Sequence, residues 1–197
     1  MNKQEIMSRL KSNNINLNYE VIYLDSVDST NNFAKKYNGQ SENNLLVIAE
    51  KQTAGRGRYG RSFASPENKG LYFTLKISKP AFADIESLPL TAAEAVKRAV
   101  KSMCGIELTV KPPNDLLYES KKICGILVES KINKNFASYV IVGIGLNVNT
   151  DITDFPDDIK NIASSLKIIT GEEHDRYDLL CGIVSELTEA GIPAYYK

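Results

Sequence analysis

The sequence contains no tryptophan, one histidine, three cysteines and no excess charge of either sign, with 24 basic residues set against 24 acidic ones. The lone histidine, His174, lies in the polar run Gly171-Glu172-Glu173-His174-Asp175 beside an expected helix start. Histidine-based triads and multi-histidine metal sites are therefore excluded. Cys104, Cys124 and Cys181 are odd in number, widely spaced and form no CxxC, which excludes a disulfide framework and a zinc set. Reduced thiols of this kind predict a cytoplasmic protein. No apolar run approaches the roughly 20 residues that span a bilayer, and MNKQEIMSRL has no signal-peptide core. A soluble chain without a membrane partner is expected. Zero net charge excludes a chain-wide attraction to nucleic acid.

What is present is an ordinary globular composition, 43% hydrophobic and 24% charged over 197 residues, enough for one large domain with a buried core. The charges are nonetheless segregated. Residues 51–76 hold six basic side chains and one acid, whereas residues 151–189 hold three basic side chains and ten acids. Such segregation points to a local anion site, with a solvated loop as the plainer reading.

Periodicity supplies the elements. Residues 2–11 read as a short amphipathic helix, followed by an Asn-rich turn at residues 13–16. Strands are expected at Glu20–Leu24 and Leu45–Ala49, with a helix between them, capped at Asp28-Ser29-Thr30 and running through Tyr37. Leu71, Phe73, Leu75 and Ile77 alternate with Tyr72, Thr74 and Lys76, as in a half-buried strand. Leu88, Ala92, Ala95, Val96, Ala99, Val100 and Met103 mark a core-facing helix stopped by Gly105. A short strand follows at Ile106–Val110. Ile123–Glu129 and Tyr139–Val148, linked by polar residues 131–135, predict a hairpin, and Leu179–Leu187 a final helix. The expected class is α+β, with a mixed, largely antiparallel sheet flanked by helices.

The most unusual segment is Gly55-Arg56-Gly57-Arg58-Tyr59-Gly60-Arg61. Its glycines permit close backbone approach to a ligand, and its arginines offer planar donors for carboxylate or phosphate. It is not a P-loop, because Arg61 stands where Lys is required and Pro66 follows where a helix should begin. An Arg/Gly nucleic-acid segment is disfavoured by the neutral chain. A plain solvated turn explains the glycines but not the three arginines. Further candidates are Lys111-Pro112-Pro113-Asn114-Asp115, which can present a carboxylate to Mg²⁺ after a strand, and Lys122 at the mouth of an apolar strand with Gly125 beyond it. Gly143-Ile144-Gly145-Leu146-Asn147 lacks the third glycine of a dinucleotide fingerprint, and its glycines suit the thinned wall of a ligand site.

In this order the motifs resemble the catalytic domain of the biotin protein ligases. The matching pieces are Asp28-Ser29-Thr30-Asn31, the run from Ala49 to Arg61, Pro113-Asn114-Asp115, Lys122-Ile123-Cys124-Gly125-Ile126-Leu127-Val128-Glu129 and Gly143 to Asn147. The resemblance runs from about Tyr19 to Asn149, and its most specific element is Gln-x-x-Gly-Arg-Gly-Arg-x-Gly-Arg from Gln52 to Arg61. It implies a fold similar to class II aminoacyl-tRNA synthetases, in one domain over residues 1–197. Neither an N-terminal helix-turn-helix nor a C-terminal β-barrel is expected, so no DNA partner is expected.

The resemblance also implies chemistry. Biotin and MgATP would give biotinyl-5′-adenylate, and the acyl group would pass to a lysine of a biotin carboxyl carrier domain. Lys122, Arg58 and Arg56 become the implied catalytic residues. Ser29, Thr30, Asn31, Gln52, Gly55, Arg56, Gly57, Arg58, Phe63, Lys122 and Gly125 become the implied biotin contacts. Arg58, Arg61, Lys111, Asn114, Lys122 and Asn147 are implied for ATP, and Asp115 for Mg²⁺. Neutral donors and acceptors suit a ureido ring, and cations suit charge growing on phosphorus. Pro112 replaces a tryptophan common in the family, which removes an aromatic ring on the nucleotide side but leaves the charged residues in place. Many members dimerise through the sheet, so a homodimer is a further expectation. Two alternatives stand beside this reading: a biotin-binding module without catalysis, and a lipoate-type acyl ligase, whose Arg-Arg-x-Ser-Gly-Gly-Gly loop is absent.

Overall fold

A computed structural model describes residues 2–13, 19–37, 44–78, 80, 85–133 and 136–192, the side chains of 132, 133 and 136 excepted. The Asn-rich turn falls mostly outside the described residues, as do residues 134 and 135 of the polar link. Seven strands form one sheet: β1 (Tyr19–Leu24), β2 (Asn44–Ala49), β3 (Leu71–Ser78), β4 (Thr109–Lys111), β5 (Asp115–Tyr118), β6 (Lys121–Asn133) and β7 (Phe136–Leu146). Their order is β1-β2-β3-β7-β6-β5-β4. Only β1 and β2 run parallel, joined across helix α2 (Thr30–Lys36), and every other pair is antiparallel. The α+β class with a mixed, largely antiparallel sheet is what the periodicity predicts.

Strand alternation divides the sheet's side chains between two faces. Leu46, Ile48, Leu71, Phe73, Leu75, Ile77, Ile126, Val140, Val142 and Leu146 belong to the main core. Helices α1 (Lys3–Ser12), α3 (Leu88–Cys104) and α5 (Arg176–Glu189) contribute to that core. Helix α3 buries Ala92, Ala95, Val96, Ala99 and Val100 along one stripe and ends at Gly105, whose φ of 69° is left-handed. Each buried valine on that stripe contributes roughly 1.5–3 kcal/mol. The opposite face carries a smaller cluster, Ala34 of α2 with Leu45, Val47 and Ile141. Beyond that cluster, the second face is where the site forms.

Four local expectations change. Strand β3 is buried on both faces from Leu71 to Leu75, not half-buried, because α2 covers Thr74 and the loop around Phe63 meets Tyr72. Of the expected strand at 106–110 only Thr109 and Val110 are paired, in β4, which runs on to Lys111, although Ile106 and Leu108 are buried. Asp115–Tyr118 forms β5, so residues 112–114 are a tight turn between two short antiparallel strands. The main hairpin is longer than expected: β6 reaches Asn133 and β7 begins at Phe136, while β7 ends at Leu146 and leaves Val148 outside. A short helix, α4 (Leu166–Thr170), capped by the Ser165 hydroxyl, was not signalled by periodicity over so few residues. Among the described residues, no helix is long and apolar enough to cross a membrane.

Candidate active site

The site is an open cavity of about 380 Å³ on the second face of the sheet. Four sequence-distant parts enclose it: the start of α2, the loop between β2 and β3, the β6–β7 strands with the turn before β5, and residues 155–163. Its floor is thin because of two glycines. Gly125 pairs with Gly145, and Leu127 with Gly143, across β6 and β7. A Cβ on Gly143 would occupy the place of the Asn31 carboxamide, and one on Gly145 would lie 2.7 Å from the Phe63 ring. The Gly-x-Gly pair thus makes room for two side chains that line the cavity, Asn31 and Phe63. Gly143→Ala should cost about 1–3 kcal/mol by chemical denaturation, because Asn31 must leave its hydrogen bonds to make room. A loss under about 0.5 kcal/mol would mean that the floor yields easily.

Neutral polar groups line one end. Ser29 caps α2, and Thr30 and Asn31 on its first turn are buried. Gln52 Oε1 accepts from Thr30 N at 2.9 Å and Thr30 Oγ1 at 3.1 Å, while Gln52 Nε2 donates to Ser65 Oγ at 2.9 Å. The Thr74 hydroxyl lies 2.8 Å from Thr30 Oγ1 and 2.7 Å from Asn31 Oδ1. This end is uncharged and rigidly bonded, an environment suited to a neutral ligand rich in donors and acceptors.

The other end is cationic. Lys122 Nζ lies 2.6 Å from Asp115 Oδ1, with the two side chains 34% and 23% exposed. The lysine stem crosses Gly125, where a Cβ would stand 3.0 Å from both Cε and Nζ. The Lys-x-x-Gly spacing thus makes room for the lysine. Phe63 stands 5.9 Å from the ammonium and presents its ring to Tyr72 edge-on, an apolar wall between the two ends. Arg58 and Arg61 stand at the cavity edge around a 3-10 turn at Arg58–Gly60. That loop folds back on itself: Gly57 N donates to Arg61 O at 2.7 Å, and Arg56 bridges Ser62. Lys111 and Asn114 line the wall at the β4–β5 turn, where Asn114 Nδ2 donates to Ile126 O at 2.8 Å. Asn147 donates to Ser164 O at 2.9 Å, leaving its buried Oδ1 without a hydrogen-bond partner.

Every candidate residue named from the sequence lines this cavity except Gly55. Gly55 is buried behind the loop, its carbonyl accepting from Phe63 N at 2.9 Å, and a Cβ there would strike Phe63 O. Its smallness serves the close approach of the loop's two limbs, not ligand contact. Arg56 lines the wall, but its guanidinium is engaged by Asn32 Oδ1 at 2.9 Å and Glu129 Oε1 at 3.3 Å. Asp115 supplies one carboxylate, and among the described residues no group of three His, Cys, Asp or Glu could hold a metal ion. That donor set suits a Mg²⁺ carried in by phosphates rather than a resident ion.

Sequence reasoning missed the wall formed by residues 155–163. Lys122 N donates to Ile162 O at 2.7 Å, and Ser164 N donates to Lys122 O at 3.0 Å, so this segment is strapped beside the lysine. It brings Phe155, Ile159 and Ile162 to the cavity. Their irregular spacing carries no periodic signal. The three thiols are free, and burial pushes Cys124 up to about 12 and Cys181 to about 11, which keeps both protonated near neutral pH.

Comparison with known proteins agrees with this geometry. The model of the biotin/lipoate A/B protein ligase family matches residues 23–147. The chain is 41% identical over 159 residues to the bifunctional ligase/repressor BirA of Bacillus spizizenii, covering 79% of this chain and 49% of that protein. It thus spans about half the length of the curated relatives it matches. Among solved structures, the biotin protein ligase of Aquifex aeolicus in complex with biotin and ATP superposes with a TM-score of 0.75 at 35% identity, over 87% of this chain and 69% of that one. The Leishmania major ligase in complex with biotinyl-5-AMP gives 0.72 at 26% identity, over 89% and 75%. The chain therefore belongs to the biotin/lipoate A/B protein ligase family and has the catalytic-domain fold of its biotin protein ligases.

Proposed function

We propose that this chain activates biotin with ATP as biotinyl-5′-adenylate and transfers the biotinyl group to a lysine of a biotin carboxyl carrier domain. The observation that carries the reading is one cavity with a neutral, fully hydrogen-bonded end at Thr30, Asn31 and Gln52 and a cationic end at Lys122, Arg58 and Arg61. Relatives of the same fold crystallised with biotin and ATP, and with biotinyl-5-AMP, support it.

In the first step a biotin carboxylate oxygen attacks the α-phosphorus of MgATP, and the bond to pyrophosphate breaks. Two anions must meet, so cations are needed at their junction. Lys122 at that junction stabilises the charge that grows on the equatorial phosphate oxygens, while Arg58 and Arg61 face the phosphates. Asn114 and Lys111 border the same side, Asn147 has its free Oδ1 for the nucleotide, and Asp115 would help hold the Mg²⁺ carried by ATP, which would offset phosphate charge. Ser29, Thr30, Asn31 and Gln52 hold the ureido ring, with Phe63, Gly57 and Gly125 against the bicycle and its chain. In the second step the carrier lysine's neutral amine attacks the acyl carbon, AMP leaves, and the amine gives up a proton. Exclusion of water by the Arg-rich loop protects the adenylate between the steps. Free thiols and dependence on ATP support a cytoplasmic setting, and a homodimer through the sheet would use an end strand, β1 or β4.

The test is exchange of labelled pyrophosphate into ATP by the purified chain with Mg²⁺. Exchange that requires biotin and is not supported by lipoate is the expected result. Biotin binding by calorimetry without exchange would replace the proposal with a non-catalytic binding module, and exchange with lipoate would replace it with an acyl ligase of the other branch.

A further inference from the structure

The Glu129 carboxylate has no part in the chemistry above, yet it meets the site from below. Alternation along β6 places it on the same face as Gly125 and Leu127, one step past the cavity floor. Its Oε1 lies 2.5 Å from Lys35 Nζ and 3.3 Å from Arg56 Nη1, and its Oε2 accepts from Asn31 Nδ2 at 2.9 Å. The side chain is 21% exposed. Burial works to raise its pKa, but Lys35, Asn31 and Arg56 outweigh burial and hold it below the usual carboxylate range, so it is charged at neutral pH.

Two routes connect this carboxylate to the Arg-rich loop. One is direct, through Arg56 at the loop's first limb. The other crosses the floor: Asn31 to Thr74, Thr74 to Thr30, Thr30 to Gln52, Gln52 to Ser65, and Ser65 to Phe63 O on the loop's second limb. Glu129 therefore fixes Asn31, the side chain that Gly143 leaves room for, and holds the loop at its entry.

We propose that Glu129 is a positioning residue for this site. It orients Asn31 and seats Arg56, so that the loop stands ready over the cavity before ligand arrives. The inference rests on the proposed biotin-activating function for its catalytic meaning, although the loop-holding role is independent of it. A seated loop lowers the ordering cost of closure, so the benefit falls on ligand binding and not on the bond-making step.

The test uses the full chain with Glu129→Gln, which preserves shape and removes charge. Three readouts are needed. Without ligand, trypsin should cut after Arg56, Arg58 and Arg61 about tenfold faster than in the parent, as expected for loss of a charge-assisted contact. In pyrophosphate exchange, KM for biotin should rise about tenfold while kcat stays within about twofold. In a double-mutant cycle with Arg56→Gln, the two losses in biotin KM should fall short of adding, because Glu129 acts partly through Arg56. Circular dichroism melting confirms that the variants fold. Unchanged loop cleavage and unchanged KM, or a fall in kcat alone, would overturn the proposal. Additive losses would overturn the route through Arg56. If the parent itself shows no exchange, the proposed function fails, and the trypsin comparison still decides whether Glu129 holds the loop.

Discussion

Replacing Lys122 by alanine should lower biotin-dependent pyrophosphate exchange by about a thousandfold, the scale of losing one preorganised charge at a developing anion. The variant should fold, because the backbone of Lys122 keeps its bonds to Ile162 and Ser164, and the side chain is one-third exposed. Its removal leaves Asp115 without the ammonium 2.6 Å away, adding an uncompensated negative charge where phosphates must approach. The loss should therefore appear in kcat and in KM for ATP, with biotin binding in the absence of ATP much less affected. Exchange within about threefold of the parent would remove Lys122 from the reaction and leave the arginines to carry it.

The second large effect concerns stability. Glu50, at the end of β2, and Arg176, at the start of α5, form a 2.6 Å ion pair with side chains only 5% and 12% exposed. The same guanidinium nitrogen donates to Gly70 O at 3.1 Å, and Tyr23 donates its hydroxyl to Glu50 at 2.8 Å. Glu50 and Gly70 flank the loop that carries Gln52 to Phe63, so Arg176 closes its base. Arg176→Met should cost about 3 kcal/mol near neutral pH, because a buried carboxylate loses the guanidinium 2.6 Å away. Burial pushes the Glu50 pKa up, but the hydrogen bonds and charges around it, Arg176 foremost and Tyr23 among them, outweigh burial and set it below the ordinary carboxylate value. A carboxylate with a lowered folded pKa contributes stability that is complete above its unfolded pKa and lost as pH falls through the folded value. In the variant, burial acts without Arg176, and protonation relieves it. The stability gap between the two proteins should thus be widest near neutral pH and narrow as pH falls, first through the raised carboxyl pKa of the variant and then through the lowered one of the parent. Urea titrations at several pH values check this, and a gap that is constant with pH would show that lost packing of the arginine, not charge, is responsible.

Elements with a strong repeat were readable without coordinates. Helix α3 shows seven apolar positions at three- and four-residue spacing and a left-handed glycine after its last turn, so its limits were clear from residue types alone. The β6–β7 hairpin was legible for the same reason. Strand β5 was not, because four residues, Asp115-Leu116-Leu117-Tyr118, carry too few alternations to outvote the adjoining Pro-Pro-Asn turn. The second buried face of β3 was hidden because Tyr72 and Thr74 read as solvent-facing until α2 and the Phe63 loop cover them.

The candidate site divides along similar lines. Motif order and the resemblance to biotin protein ligases were sufficient to name Gln52, Arg58, Arg61, Lys122, Asp115 and Asn147, the Gly-Arg string being the most specific part of it. They could not reveal that Gly55 faces away from the cavity, that Arg56 is already held by Glu129, or that residues 155–163 form a wall. Those facts depend on how the chain folds back on itself, from Gly55 against Phe63 to Lys122 beside Ile162 and Arg56 with Glu129, 73 residues away, and on which strand face each side chain occupies. The sequence by itself determined the α+β class, because that rests on local periodicity, and the family, because its ordered motifs resemble those of the biotin protein ligases. Tertiary structure alone decided which cations remain available to a ligand, because charge compensation depends on distances that only the packed chain sets.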